Sequence, residues 1–237
     1  MWLLELTLDT PAENLALDEA LLDEAEAAPE VLETLRLWEP ASPMVVVGRS
    51  SRVGEEVHCQ TCSRLGIPIL RRASGGASVV IGPGCLVYAL VLSLERRPAL
   101  RMVEQAHRVV LGRLAEALGR LVPGICRRGT SDLALGEAKS SGNSVRLKRR
   151  YLLYHGTLLY NFPLELVETC LAMPARQPAY RQGRSHREFL TNLPLSGEVV
   201  RRAVAAAWCA ERVRAHWPQA ETARLALSKR CTTVEEP

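Results

Sequence analysis

An α+β domain with a mixed or antiparallel sheet is the fold class the sequence predicts. Three observations carry it. Strand-like groups alternate with packing helices along the chain instead of following a strict βαβ order. Residues 103–121 put Ala106, Val110, Leu114, Leu118 and Leu121 on one stripe, as in a helix lying on a sheet. Gly82-Pro83-Gly84 separates two β-branched runs, Ser78 to Ile81 and Leu86 to Leu94, in the manner of a tight turn.

The remaining elements follow in order. Residues 11–27 mix apolar and acidic positions with a helical period, behind a Thr10 cap and Pro11 in the first turn. Residues 34–39 alternate with period two, which predicts a half-buried strand. Pro40 and Pro43 end it, and Val45-Val46-Val47-Gly48 reads as the next strand. A helix is expected over Val53–Leu65, stopped by Gly66, with Cys59 and Cys62 as ordinary helix residues. Ile67 to Arg72 is a strand leading into a Gly-Gly turn. Asp132 to Leu135 and Tyr151 to Phe162 are strands, and Leu164 to Leu171 is a helix. Residues 173–188, rich in Pro, Arg and polar groups, form a loop. Glu198 to Trp217 is a closing helix, and the tail, from about 225 or from Thr232 onward, is expected to fray.

With 237 residues, 47% of them hydrophobic, the chain can build one sizeable core, so a single domain over 1–237 is expected. A net charge of +4 is too mild to argue for nucleic acid. The positive charge gathers at Arg146, Lys148, Arg149, Arg150, Arg176, Arg181, Arg184 and Arg187, which suits either a solvated face or docking of an acidic partner. No apolar run reaches membrane-spanning length, and Met1-Trp2-Leu3-Leu4-Glu5 meets an acid too early for a secretory signal. Seven scattered cysteines, an odd number, suit a reducing cytoplasm. Cys59-x-x-Cys62 has no second pair or nearby His to complete a metal site.

Two segments carry chemistry. Arg71-Arg72-Ala73-Ser74-Gly75-Gly76-Ala77 sets a basic pair against a turn that lets backbone approach a ligand closely. Downstream come Asp132-Leu133 and Ala138-Lys139-Ser140-Ser141-Gly142-Asn143, then His155-Gly156-Thr157-Leu158-Leu159. Asn14-Leu15-Ala16-Leu17-Asp18-Glu19, Leu37-Trp38-Glu39-Pro40 and Val47-Gly48-Arg49 precede them. Together, in this order over about residues 1 to 195, these motifs resemble the lipoate–protein ligase family within the wider biotin/lipoate ligase group.

The resemblance implies a class II aminoacyl-tRNA synthetase or biotin ligase-like fold without a C-terminal accessory domain. It implies acyl-AMP formation from lipoate or octanoate with ATP and Mg2+, then transfer to a lysine of a lipoyl carrier domain of the 2-oxoacid dehydrogenase E2 or glycine-cleavage H-protein type. Lys139 matches the essential lysine, whose ammonium would bridge the acyl carbonyl and the phosphate and stabilise the oxyanion. Arg71, Arg72, Ser74, Gly75, Gly76 and Ala77 would bind acid or adenylate, with one arginine a ligand contact and the other structural. Gly142 and Asn143 would shape a turn facing phosphate, beside Ser141. His155, with Gly156 and Thr157, would bind the acyl chain rather than act as a base. Asp132 would position magnesium or the adenylate, or cap a turn. Trp38, Val47, Val79 and Tyr88 are candidates for the tail tunnel and equally for core. The cluster Tyr180-Arg181-x-x-Arg184-Ser185-His186 could close over a ligand or meet the carrier. Ala77 stands where relatives often have glycine, and Ile81 where many have histidine. The rival reading is an octanoyltransferase that takes its acyl group from acyl carrier protein. It would use a cysteine nucleophile, Cys126 by position, while Cys170 sits off the other transferase group's position. A separate accessory subunit, or a non-catalytic lipoate or biotin binder, are further alternatives.

Overall fold

The computed structural model describes residues 1–231. Strand β1 (Trp2–Glu5) leads into helix α1 (Pro11–Ala27), then β2 (Thr34–Trp38), β3 (Met44–Val47), α2 (Val53–Glu56), α3 (Cys59–Arg64), β4 (Ile69–Arg71), β5 (Val79–Ile81) and β6 (Cys85–Ser93). Helix α4 (Val103–Gly119) precedes β7 (Ile125–Arg128), β8 (Asp132–Leu135), β9 (Ala138–Leu147) and β10 (Tyr151–Leu159). Then come α5 (Glu165–Cys170), α6 (His186–Phe189), α7 (Gly197–Ala207), β11 (Arg212–Val213) and α8 (Gln219–Ala226).

Eight strands form one mixed sheet in the order β11-β1-β2-β6-β10-β9-β8-β7, parallel at β11-β1-β2 and antiparallel beyond. A smaller sheet, β4-β3-β5, is also mixed. Helix α1 packs on one face of the large sheet, with Leu17, Leu21 and Leu22 against Val91 and Leu153. Helix α4 covers the other, its Val110, Leu114 and Leu118 meeting Leu35, Leu37 and Leu90. The small sheet closes a third cluster around Val45, Val47, Val80 and Val87. Among the described residues no helix is long and apolar enough to cross a membrane.

Helix α1 begins as its sequence implies. The Thr10 hydroxyl accepts from the Glu13 backbone N–H at 3.2 Å and donates to the Glu13 carboxylate at 2.6 Å. Thr10→Ala is expected to cost about 1 kcal/mol in urea unfolding, because it removes this cap.

Several boundaries differ from expectation. Strand β2 is buried along its whole length, since helices cover both faces of the sheet; Arg36 is fully buried where alternation implied a solvated side chain. The helix expected over Val53–Leu65 breaks at Val57, whose extended backbone bridges to Leu171. The closing helix ends at Ala207; β11 and α8 follow. Lys139, Gly142 and Asn143 lie in strand β9, with no turn at Gly142-Asn143. The stretch 173–188 is mostly irregular but contains a 3-10 turn at Ala179–Arg181 and the start of α6. Helix α8 runs to Ala226, and the Cys231 N–H bonds the Ile69 carbonyl at 3.0 Å. The expectation for the tail from Thr232 lies outside the described residues.

Candidate active site

Lys139 owes its direction to a β-bulge. Leu133 pairs with Ser141 and Ala134 with Lys139, so Ser140 is the extra residue in β9. An extra residue reverses the alternation beyond it. Lys139 therefore shares a face with Gly142 instead of opposing it, and its Cε and Nζ lie 3.4 Å from where a Gly142 side chain would begin. The Lys139 ammonium is 2.8 Å from Asp132 Oδ1. The other carboxylate oxygen accepts from the Tyr180 hydroxyl at 2.8 Å. Burial, followed by the Asp132 charge, pushes the Tyr180 phenol well above its usual range, so it stays a donor.

Asn143 is an anchor. Its Nδ2 donates to the Ser131 carbonyl at 2.7 Å and to Ser141 Oγ at 2.9 Å. Its Oδ1 accepts from the Tyr88 hydroxyl. The amide occupies the space a side chain at Gly156 would fill, which explains a glycine in the middle of β10. Tyr88 stacks near Tyr154, whose hydroxyl meets His107 Nδ1 at 2.9 Å. Burial and the Arg127 charge lower the His107 pKa.

The Gly-Gly loop is held by Arg72, which is almost fully buried. Its Nη2 donates to the Gly75 and Ala77 carbonyls at 2.6 and 3.0 Å, its Nη1 to Val46 at 3.1 Å, and its Nε to Ser74 Oγ at 3.2 Å. Burial pushes its pKa down to about 10, which leaves it charged at neutral pH. Gly76 has φ of +93°, and its carbonyl sits where a Gly48 Cβ would be. Ala77 does not have positive φ, so its methyl carries no left-handed backbone strain. Ser78 N–H and Oγ both bond Glu56, at 2.8 and 2.7 Å, fixing the far end of the loop.

These elements enclose a cavity of about 460 Å³, within the range of small-molecule sites. Of the sequence-derived candidates, Arg72, Gly76, Ala77, Asp132, Lys139, Gly142, Asn143, His155, Gly156 and Thr157 line it. Ser141 lines a second cavity of about 150 Å³ that shares Lys139, Gly142 and Thr157. Ser74 and Gly75 hold the loop from behind. Arg71 lies outside both cavities; it donates to the Gly48, Arg49 and Ser51 carbonyls. Of the tail-tunnel candidates only Val79 reaches the larger cavity. Val46 and Val87 line it in place of Val47 and Tyr88, because adjacent residues of a strand face opposite ways. Trp38 is core.

Cys126, on the edge strand β7, lines neither cavity, and no other cysteine does. Among the described residues no group of three His, Cys, Asp or Glu is placed to hold a metal. Asp132 is thus a lone carboxylate with both oxygens already bonded. It suits at most one protein ligand to a divalent ion that arrives with phosphates.

Sequence reasoning missed Leu15, Asp18 and Gln177 in the cavity wall, and Arg176 at the junction of the two cavities. Asp18 was signalled only by its place in Asn14-Leu15-Ala16-Leu17-Asp18, four residues past Asn14 on one helix face.

A mixed sheet that sets a lysine in a glycine-walled cleft defines a small-molecule site. The chain belongs to the lipoyl protein ligase A/B catalytic domain family, whose model matches residues 10–215. An Aeropyrum pernix protein whose name places it with lipoate-protein ligase A is 34% identical over 159 residues, 66% of this chain and 56% of that one. An octanoyltransferase LipM of Geobacillus kaustophilus is 26% identical over 202 residues, 75% of this chain and 72% of that one. A crystal structure of lipoate-protein ligase A bound with ATP superposes with a TM-score of 0.76 at 21% identity, over 95% of this chain and 92% of that one. That likeness bears out the expected fold. The chain spans about half the length of the first of these relatives.

Proposed function

We propose that the chain activates lipoate or octanoate as acyl-AMP with ATP and transfers the acyl group to a lysine of a lipoyl carrier domain, of the E2 or H-protein type. A carboxylate oxygen attacks the α-phosphorus and pyrophosphate leaves. The carrier amine then attacks the acyl carbon, AMP leaves, and the amine gives up a proton. The observation that carries this reading is the Lys139 ammonium, aimed by a bulge at the junction of two cavities and balanced by one carboxylate. A compact cation there meets negative charge on both the carboxylate and the phosphate. Arg176, exposed at the same junction, is a second cation for phosphate. The apolar wall of Leu15, Val46, Val79, Ile81 and Val87 suits a medium alkyl chain. Magnesium would enter with the nucleotide, held by phosphate oxygens and Asp132, and would screen phosphate charge.

The test supplies purified protein with octanoate or lipoate, ATP and an apo lipoyl domain, with and without a separately added accessory subunit. Acyl-carrier product that depends on ATP supports the reading. Product formed only from octanoyl acyl carrier protein, without ATP, overturns it in favour of transfer. The absence of cysteine from both cavity walls favours ligation. Cys126→Ala is accordingly expected to change the rate less than about twofold; a loss of ~100-fold would restore the thiol nucleophile.

A further inference from the structure

We infer that the distal end of the acid site is built for a hydrogen-bond donor, a thiol or hydroxyl on the far carbons of a medium-chain acid, which Asp18 receives. The inference rests on the proposed acyl activation and names the substrate class more closely.

Asp18 projects from α1 into the larger cavity and is 2% exposed. One carboxylate oxygen is satisfied: Oδ1 accepts from Arg36 Nη1 at 2.7 Å. Arg36 is itself committed, donating to the Leu6 and Asn14 carbonyls and to Asn14 Oδ1. The second oxygen, Oδ2, is buried with no hydrogen-bond partner. The nearest ring nitrogen, His155 Nδ1, stands 3.8 Å away, too far for a hydrogen bond. The other nitrogen of that ring is held by Ser74 Oγ at 2.5 Å, so the imidazole is fixed in place. Buried charged oxygens without donors are costly and uncommon.

The location of this oxygen selects the part of the ligand it meets. Lys139 Nζ lies over Gly142. His155 pairs with Ser144, two residues further along β9, or about 7 Å of strand. The imidazole and the gap to Asp18 extend the path beyond that. An acid whose carboxylate meets Lys139 therefore brings its last carbons, not its first, to Asp18. A plain alkyl end would cover Oδ2 and leave it unpaired. A distal S–H or O–H would satisfy it. Octanoate and the closed dithiolane of lipoate carry no such donor, whereas the reduced dithiol of dihydrolipoate does.

The test measures Kd by titration calorimetry for two acids of equal heavy-atom count, nonanoate and 8-hydroxyoctanoate, and for lipoate and dihydrolipoate. The expected result is about tenfold tighter binding of the hydroxy acid and about threefold tighter binding of the dithiol, a weaker donor. Asp18→Asn keeps an oxygen for Arg36 but turns an N–H toward the ligand, and is expected to erase or invert both preferences. Equal affinities in the unmodified protein, tighter nonanoate, or binding of neither acid overturns the inference without reference to any variant. A preference as stated, with no ATP-dependent transfer to the carrier, overturns the reaction instead and leaves the subsite standing.

Discussion

Lys139→Ala is expected to lower ATP-dependent acylation of an apo lipoyl domain by at least about 100- to 1000-fold, the usual cost of removing a group that stabilises developing negative charge. The bulge at Ser140 gives this side chain its aim, and among the described residues no other cation lies over Gly142. Arg72 lines the same cavity but commits its donors to the Gly-Gly loop. Arg176 is exposed at the mouth, on an irregular segment. Losing the ammonium leaves Asp132 Oδ1 without its ion pair. The Tyr180 hydroxyl still holds the second oxygen, so the stability loss should stay near 1 kcal/mol. Single-turnover transfer and a urea melt on the same preparation separate the two effects. Lys139→Arg is not expected to rescue the rate, because a planar guanidinium cannot occupy the close contact over Gly142. Acylation at full speed in Lys139→Ala would remove the basis for the proposed chemistry.

Gly156→Ala is expected to destabilise the fold by about 3 kcal/mol or more, at the upper end for forcing volume into a packed interior. The added methyl would overlap the Asn143 amide oxygen and come within 2.9 Å of the Tyr88 hydroxyl. Strand β10 is paired on both sides at this point, with Tyr88 and with Asn143, so the backbone cannot step aside. If Asn143 is displaced, the Ser131 carbonyl loses its donor and the segment leading into Asp132 is released. Activity should therefore fall together with the urea midpoint. Gly75→Ala is the control: it has negative φ and nothing within 4 Å of the added carbon, so its midpoint should not move. A Gly156→Ala midpoint indistinguishable from that of Gly75→Ala would mean that the Asn143 anchor is not fixed.

Motif order made the site legible in the sequence, while local geometry was often hidden. Lys139, Asp132, Gly142 and His155 converge on one cavity although they come from three strands. Gly142-Asn143 reads as a turn because both residues favour turns. Long-range pairing with β10 overrides that preference, and the small residue is needed beneath the lysine chain instead. Arg36 reads as a solvent-facing residue of an alternating strand. Only the fold brings Asp18 and Asn14 to it, across more than fifteen residues of sequence. The tunnel residues were displaced by one position, Val47 for Val46 and Tyr88 for Val87. In a strand buried on both faces, alternation gives no sign of which face meets the ligand. Arg71 and Arg72 look equivalent in sequence, yet they grip different loops.

The commitment of Arg72 to carbonyls of its own loop has a consequence for recognition. The glycine-walled floor takes its shape when the chain folds and does not wait for an incoming molecule to impose one. The entropy of ordering that loop is therefore lost once, during folding, and is not subtracted from each binding event. Affinity for a small, flexible ligand then depends mainly on the freedom the ligand itself gives up.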